Sequence, residues 1–331
     1  MKNILLIGET DNINSTTIEI KDAFEKLGYH VTSFNFRSIS KKFSVFNSKD
    51  RFLDFFFKKL NKIGFSFFYY NLLGRYKMTK ELLKYKFENF DFVLFTKCEF
   101  INPKTFKIIK KYTPVYYYFF DSMKEISNYR LYNHFNYSSK SFVVSKIMSE
   151  VLSSHKKINK LIFYCPQGVD IKKWKINNNL PKIYDIVFIG SRNAYRDKYI
   201  NYLKKNGIEI ICYGLGYRNG EVYNEDLNKI YQKSKIALNF TRDRISFSIR
   251  VYQIISSGCF VLSSKSEELN RIFNRGKHFD DFDSPKECLK KIKFYLESDN
   301  SRNSIVINSY NKVIKTFNWE KILKVFDGKK F

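Results

Sequence analysis

The stretch "SFSIRVYQIISSGCFVLSS", residues 246–264, decides the fold. A polar lead-in runs into a helix-like segment, Gly258 ends it, and the β-rich run "CFVLSS" follows. Glycine just past the last helical residue is a common C-terminal stop. The spacing therefore predicts one helix-to-strand step of a parallel α/β sheet. Two residues fit an ordinary packing helix poorly. Arg250 lies just inside its start, where a cation opposes the helix dipole. Gln253 stands three residues on, on the same face. Arg242 and Arg244 wait in the loop in front. That charge makes physical sense with an anion before the helix and Ser248 as its N-cap.

Working outward, the same step recurs. "YDIVFIG" (184–190), "IEIICYG" (208–214) and "KIALNF" (235–240) read as strands. "YRDKYINYLKKNG" (195–207) and "EDLNKIYQKS" (225–234) read as the helices between them. "SPKECLKKIKFYLES" (284–298) and residues 302–326 are helical. Upstream, "KNILLIG" (2–8), the helix 15–28 ending at Gly28, and "YHVTSFNF" (29–36) form a βαβ unit. Residues 91–97, 114–120 and 141–145 are further strand candidates. Residues 166–182, with two prolines and three consecutive asparagines, read as a linker. The fold class is α/β, with two Rossmann-like parallel-sheet domains facing a cleft. The expected division is 1–170, joined by a returning C-terminal helix at 312–331, and 183–311.

"FIGSRNAYR" (188–196) leaves a strand and enters a helix through a Gly-Ser turn. Gly190 lets a ligand approach the backbone, Ser191 caps the helix or donates to a phosphate, and Arg192 and Arg196 supply charge. Gly214, closing the neighbouring strand, joins this set, with Asn239 and Arg244 on the same sheet edge.

The bulk numbers bound the partners. Of 331 residues, 44% are apolar, which fits a globular chain of two domains. The formal charge of +27 is spread over both halves and excludes a single basic tail. An AT-rich genome accounts for part of the lysine; anionic ligands or an anionic surface account for the rest. The opening run Ile4–Ile7 is followed at once by Glu9 and Asp11, so it reads as a strand and not as a signal peptide. No window reaches 18 uncharged apolar residues. Five scattered cysteines without a CxxC fit a reduced, cytoplasmic protein and give no metal site.

The ordered set "PQGVD" (166–170), "DIVFIGS" (185–191), "IALNF" (236–240), "SIRVYQIISSGCFVLSS" (248–264), "EEL" (267–269) and Gly276 resembles the CgeB-like (spore maturation protein type) glycosyltransferases. That group has the GT-B fold with a family 1/4-like C-terminal domain. The resemblance covers the second half well and the first half only in layout. It implies that the second domain binds a nucleotide-sugar donor, without a cofactor or bound metal and with retention at the anomeric carbon. An Arg, and three residues on a Glu, hold the diphosphate and ribose there; those positions are Arg250 and Gln253. An amide makes weaker bonds to ribose hydroxyls than a carboxylate does. Related enzymes place a second Glu seven residues earlier, where this chain has Ser246.

The acceptor side is read more thinly. Asp121, ending "YYFFD", is a candidate base or sugar-hydroxyl ligand. Asp281-x-Asp283 has the form of a metal motif but lacks supporting ligands, and His30, His134, His155 and His278 lack partners in sequence. Residues 41–86 mix 12 Lys/Arg with 13 Phe/Tyr, a composition suited to peripheral docking on the inner face of a membrane. The expected activity is transfer of a hexose from a nucleotide-diphosphate sugar to a glycan, lipid-linked or protein acceptor. A DNA-modifying or nucleic-acid-binding protein and a non-catalytic GT-B binding module are the alternatives.

Overall fold

The computed structural model describes residues 1–11, 15–36, 75–99, 101–177, 180–241 and 243–328, with backbone alone for 75–78. The chain divides into two compact units, Met1–Cys165 with the segment that begins at Val325, and Pro166–Lys324.

In the first unit, strands β1 (Asn3–Gly8), β2 (His30–Asn35), β3 (Phe92–Thr96), β4 (Val115–Phe119), β5 (Lys140–Val143) and β6 (Phe163–Tyr164) form one sheet in the order β2-β1-β3-β4-β5-β6. All its pairings are parallel. Ile4 to Ile7 are fully buried, as a strand covered on both faces requires. Ser15 caps helix α1 (Thr16–Lys26) by accepting the Thr17 N–H, and Gly28 (φ 84°) turns the chain into β2. Helices α2 (Arg75–Leu82), α3 (Lys104–Ile109), α4 (Met123–Asn128), α5 (Tyr132–Tyr137) and α6 (Lys146–Ser153) complete this unit. Phe326 returns into its core between Phe92 and Phe142, at 6.2 and 4.8 Å between ring centroids.

The second unit carries strands β7 (Tyr184–Ile189), β8 (Ile211–Tyr213), β9 (Ser234–Asn239), β10 (Phe260–Ser264) and β11 (Asp280–Phe282) in the order β11-β10-β9-β7-β8, again parallel. Helices α7 (Ala194–Lys205), α8 (Asn224–Gln232), α9 (Arg250–Ser256), α10 (Glu267–Ile272), α11 (Pro285–Glu297), α12 (Asp299–Thr316) and α13 (Trp319–Ile322) follow in order. One sheet face, with Ile186, Phe188, Ile236, Leu238, Phe260 and Leu262, buries the apolar stripes of α7 and α11. The first strand of this unit has β8 on one side and β9 on the other. The order therefore reverses between β7 and β9, and ligands bind at the carboxyl ends of strands at such a point.

Three expectations change. The segment 166–182 is not a free linker. Val169 N–H bonds the Phe317 carbonyl, Trp174 is buried, and both belong to the second unit. The helix read as 302–326 breaks at Phe317–Asn318, where the Asn318 side chain caps α13 by accepting the Lys321 N–H. Trp319 and Ile322 pack against Gly168, so the return to the first unit starts at Val325 and not at 312. The membrane assignment for residues 41–86 falls mostly outside the described residues; among those described, no helix is long and apolar enough to cross a membrane.

Candidate functional site

The carboxyl end of β7 at this reversal is Gly190, and the structure brings both predicted arginines to it. A Cβ built on Gly190 would stand 3.3 Å from Arg250 Nη1 and 3.6 Å from Arg196 Nη1. Each arginine lies in the first turn of a helix that follows a central strand, α7 after β7 and α9 after β9. Both oppose their helix dipoles. Two guanidiniums within about 7 Å also repel by roughly 2 kcal/mol at an effective dielectric near 20. An anion between them reverses the sign of both terms.

Local packing holds each group in place. Arg196 is buried, donates to the Ser191 carbonyl and lies 5.4 Å from the Phe188 ring centroid. Its helix is capped by Asn193, which accepts the Arg196 N–H at 3.0 Å; Ser191 lies two residues before the cap, and its carbonyl accepts from the Arg196 side chain. Arg250 sits beside the buried hydroxyl of Tyr231. Burial pushes that phenol up, and the Arg250 charge acts against the shift.

Gly214 is present because nothing larger fits. A Cβ there would stand 2.4 Å from the Gly190 carbonyl oxygen, and its φ of 124° disfavours side chains. Gly214, Gly216 and Gly220 all have positive φ and fold the loop after β8 back on itself through Gly214 N–H to Gly220 O, 2.6 Å. Arg192 N–H anchors this loop at Leu215 O, 2.8 Å. Tyr217 in the loop is pushed up to about 12 by burial, with Cys212 and Asp197 acting the same way and Arg196 and Arg192 against. Sequence reading missed this loop, though three glycines in seven residues after a strand were the available signal.

The remaining predicted residues take other places. Arg192 pairs with Asp197 at 3.0 Å, and Arg244 with Asp283 at 3.1 Å. Asn239, at the end of β9, is buried and donates to Ser263 Oγ at 2.9 Å. Ser248 accepts the Val251 N–H through its carbonyl, but its hydroxyl does not cap α9 and is buried without a hydrogen-bond partner among the described residues. Gln253 is half-buried on the Arg250 face, and its carbonyl accepts from Ser257. Ser246 donates to Asp243 at 2.7 Å. Arg242 lies outside the described residues.

Asp121 belongs to the first unit. It accepts the Ser122 N–H at 2.8 Å and pairs with Lys97 at 2.6 Å. Asp281 and Asp283 are held by Arg275 and Arg244, and no group of three His, Cys, Asp or Glu among the described residues is placed to hold a metal ion. The histidines serve packing where contacts are seen: His134 at the Ile101 carbonyl, His155 stacked on Tyr132, His278 accepting the Asn274 N–H.

Two arginines and a glycine loop thus stand at the switch point of the second parallel sheet. Residues 192–326 match the family model described as glycosyl transferase-like. That region carries Arg192, Arg196, the glycine loop, Asn239, Arg250 and Gln253, and Gly190 and Ser191 immediately precede it. HepE (Alr3699) of Anabaena, solved with UDP-glucose, is similar over 99% of this chain and 100% of its own, at 13% identity and a TM-score of 0.69. Sucrose-phosphate synthase from Thermosynechococcus elongatus is similar over 99% and 98%, at 11% and 0.70. T4 phage BGT, solved with its UDP-glucose substrate, is similar over 98% of both chains, at 14% and 0.59. No curated protein sequence matches the chain. The glycosyl transferase-like region thus sits in a chain with the GT-B fold.

Proposed function

We propose that this chain is a glycosyltransferase that moves a hexose from a UDP-sugar to a glycan, lipid-linked or protein acceptor. The observation that carries the reading is the convergence of Arg250 and Arg196 on the space above Gly190. Charge develops on the leaving diphosphate as the bond to the sugar breaks, and preformed cations there lower the barrier. Arg250 and Arg196 take the two phosphates, Ser191 offers its backbone N–H, Gly190, whose own N–H is held by the Tyr213 carbonyl, leaves room beside it, and Gly214 keeps the approach open. Gln253 holds ribose or sugar hydroxyls. Arg192, Asn239, Arg244 and Ser248 support the edge through their local contacts. The uracil base is taken from the neighbours solved with UDP-glucose.

On the acceptor side Asp121, kept in place by Lys97, serves as base or hydroxyl ligand. The CgeB-like subtype, metal independence, retention and peripheral association of residues 41–86 with an anionic membrane rest on the sequence and its resemblance. The test is release of UDP from UDP-glucose, UDP-galactose and UDP-N-acetylglucosamine, with water as default acceptor. One sugar turning over, and turnover falling at least a hundredfold in Arg250→Ala, supports the reading. No UDP release from any donor by folded protein, with no UDP binding, overturns it.

A further inference from the structure

The first unit has a second concentration of cations. Two adjoining hollows lie along α5. The larger, about 520 Å³, is lined by Arg130, Tyr132 and Lys157, with Ser127 and Asn133. The smaller, about 330 Å³, is lined by Lys107, Lys110 and Lys111, with Asn136 and Tyr137. Asn136 joins them: its Nδ2 donates to the Lys157 carbonyl at 2.8 Å, and its Oδ1 accepts the Asn159 N–H at 3.0 Å.

We infer that these two hollows of the first unit form a binding surface for a linear chain of linked phosphates. Lys107, Lys110, Lys111 and Lys157 are exposed, and none of them pairs with a carboxylate among the described residues. Like charges crowd there. Lys110 and Lys160 both reach the Ser138 carbonyl, at 3.5 and 2.5 Å. Burial, and then the Lys110 charge, lower the pKa of Lys160. Arg130 stands in left-handed backbone at φ 51°, a conformation that glycine adopts freely and that is strained for an L-residue.

Aromatic rings steady the cations before any partner arrives. Lys107 Nζ lies 4.0 Å from the Tyr137 centroid and Lys157 Nζ 5.0 Å from that of Tyr132, which stacks on His155. Ordering them in advance reduces the entropy lost on binding. The surface is concave and polar, which suits successive phosphates of a chain better than a flat bilayer. Lysine serves there as a point-charge phosphate ligand.

The test uses fluorescently labelled inorganic polyphosphate, titrated into the full chain over a range of salt. Lys107→Gln/Lys110→Gln/Lys157→Gln is compared with a charge-matched control, Lys204→Gln/Lys205→Gln/Lys286→Gln, on exposed positions of the second unit. The hollow variant is expected to lose at least tenfold in affinity, and its salt slope to fall by about 2, from about 0.7 per phosphate contact. The control should stay within about threefold, and both variants should melt as the parent does. Displacement of polyphosphate by oligothymidylate with equal affinity per phosphate would assign recognition to the row of charged phosphates, whatever links them. Equal losses in both variants would show diffuse attraction to a basic protein and overturn the inference. So would binding to anionic vesicles but not to polyphosphate.

Discussion

Replacing Arg250 by alanine separates the two roles a buried-edge arginine can have. A hydrogen bond to a charged partner contributes about 1.5–3 kcal/mol. Loss of the Arg250 contact to a diphosphate should therefore weaken UDP binding roughly 10- to 150-fold. Binding does not vanish, because Arg196 remains on the other side of the Gly190 space. The fold should respond in the opposite sense. Removing a cation from the first turn of α9 relieves an unfavourable dipole interaction of about 0.3–1 kcal/mol, together with repulsion from Arg196. That relief offsets the packing lost beside Tyr231, so the melting temperature without ligand should stay within about 2 °C of the parent. Calorimetric titration of UDP reads the first effect and thermal unfolding the second. Lys at this position keeps the charge but loses the planar fork, and should fall between. UDP affinity within twofold of the parent would refute the reasoning. A melting temperature lower by 8 °C or more would equally show that Arg250 is placed to hold the fold.

Three further expectations follow from the same geometry. Gln253→Glu should tighten UDP binding several-fold in calorimetry, because a carboxylate accepts two ribose hydroxyls as charge-assisted bonds; unchanged affinity would mean the residue does not face the ribose. Gly214→Ala should lower stability by about 2–3 kcal/mol in urea unfolding, since its Cβ would meet the Gly190 carbonyl at 2.4 Å in left-handed backbone; a neutral effect would contradict the close approach of the two loops. Stability should also fall on acidification. Burial alone would raise Asp280 and Glu287, yet hydrogen bonds from Lys291 to both, from Arg275 to Asp280 and from the Asp283 N–H to Glu287 hold both below the usual carboxylate range. Groups depressed in the fold stabilise it above their unfolded pKa of about 4 and lose that contribution as pH falls through the folded value. Burial, with Lys312 and Lys277, likewise holds His278 below its ordinary value, so its contribution starts to fade below about pH 6.5. Urea midpoints at pH 7.5, 5.5 and 3.5 should decline in that order, and a rise toward acid would contradict the assignment.

The sheet strands were legible because parallel strands are continuous apolar runs closed by glycine, as at Ile186–Gly190 and Ile4–Gly8. Gly190, Arg196 and Arg250 were legible for a related reason: a cation in a helix's first turn is a local anomaly visible in one dimension. What spacing could not show was pairing over distance. Arg244 meets Asp283 across four intervening elements, and Arg192 meets Asp197 five residues on, so both looked available in sequence. Caps misled where two candidates competed: "SRN" offers Ser191 and Asn193, and the chain uses Asn193, whose Oδ1 accepts the Arg196 N–H. The segment 166–182 read as a linker because its asparagines mask two anchors, the Val169 N–H and the Lys173 carbonyl, whose partners Phe317 and Asn228 lie 50 or more residues away. The glycine loop 214–220 was read as a strand end, since only the fold brings Gly214 against Gly190.

The central claim is that two arginines hold a diphosphate above Gly190. Calorimetric comparison of UDP with UMP on the unmodified chain tests it most directly, because the ligands share the uridine and differ by one phosphate. UDP is predicted to bind at least tenfold more tightly than UMP, with the advantage shrinking as salt rises. Equal affinities, or no binding of either, would contradict it.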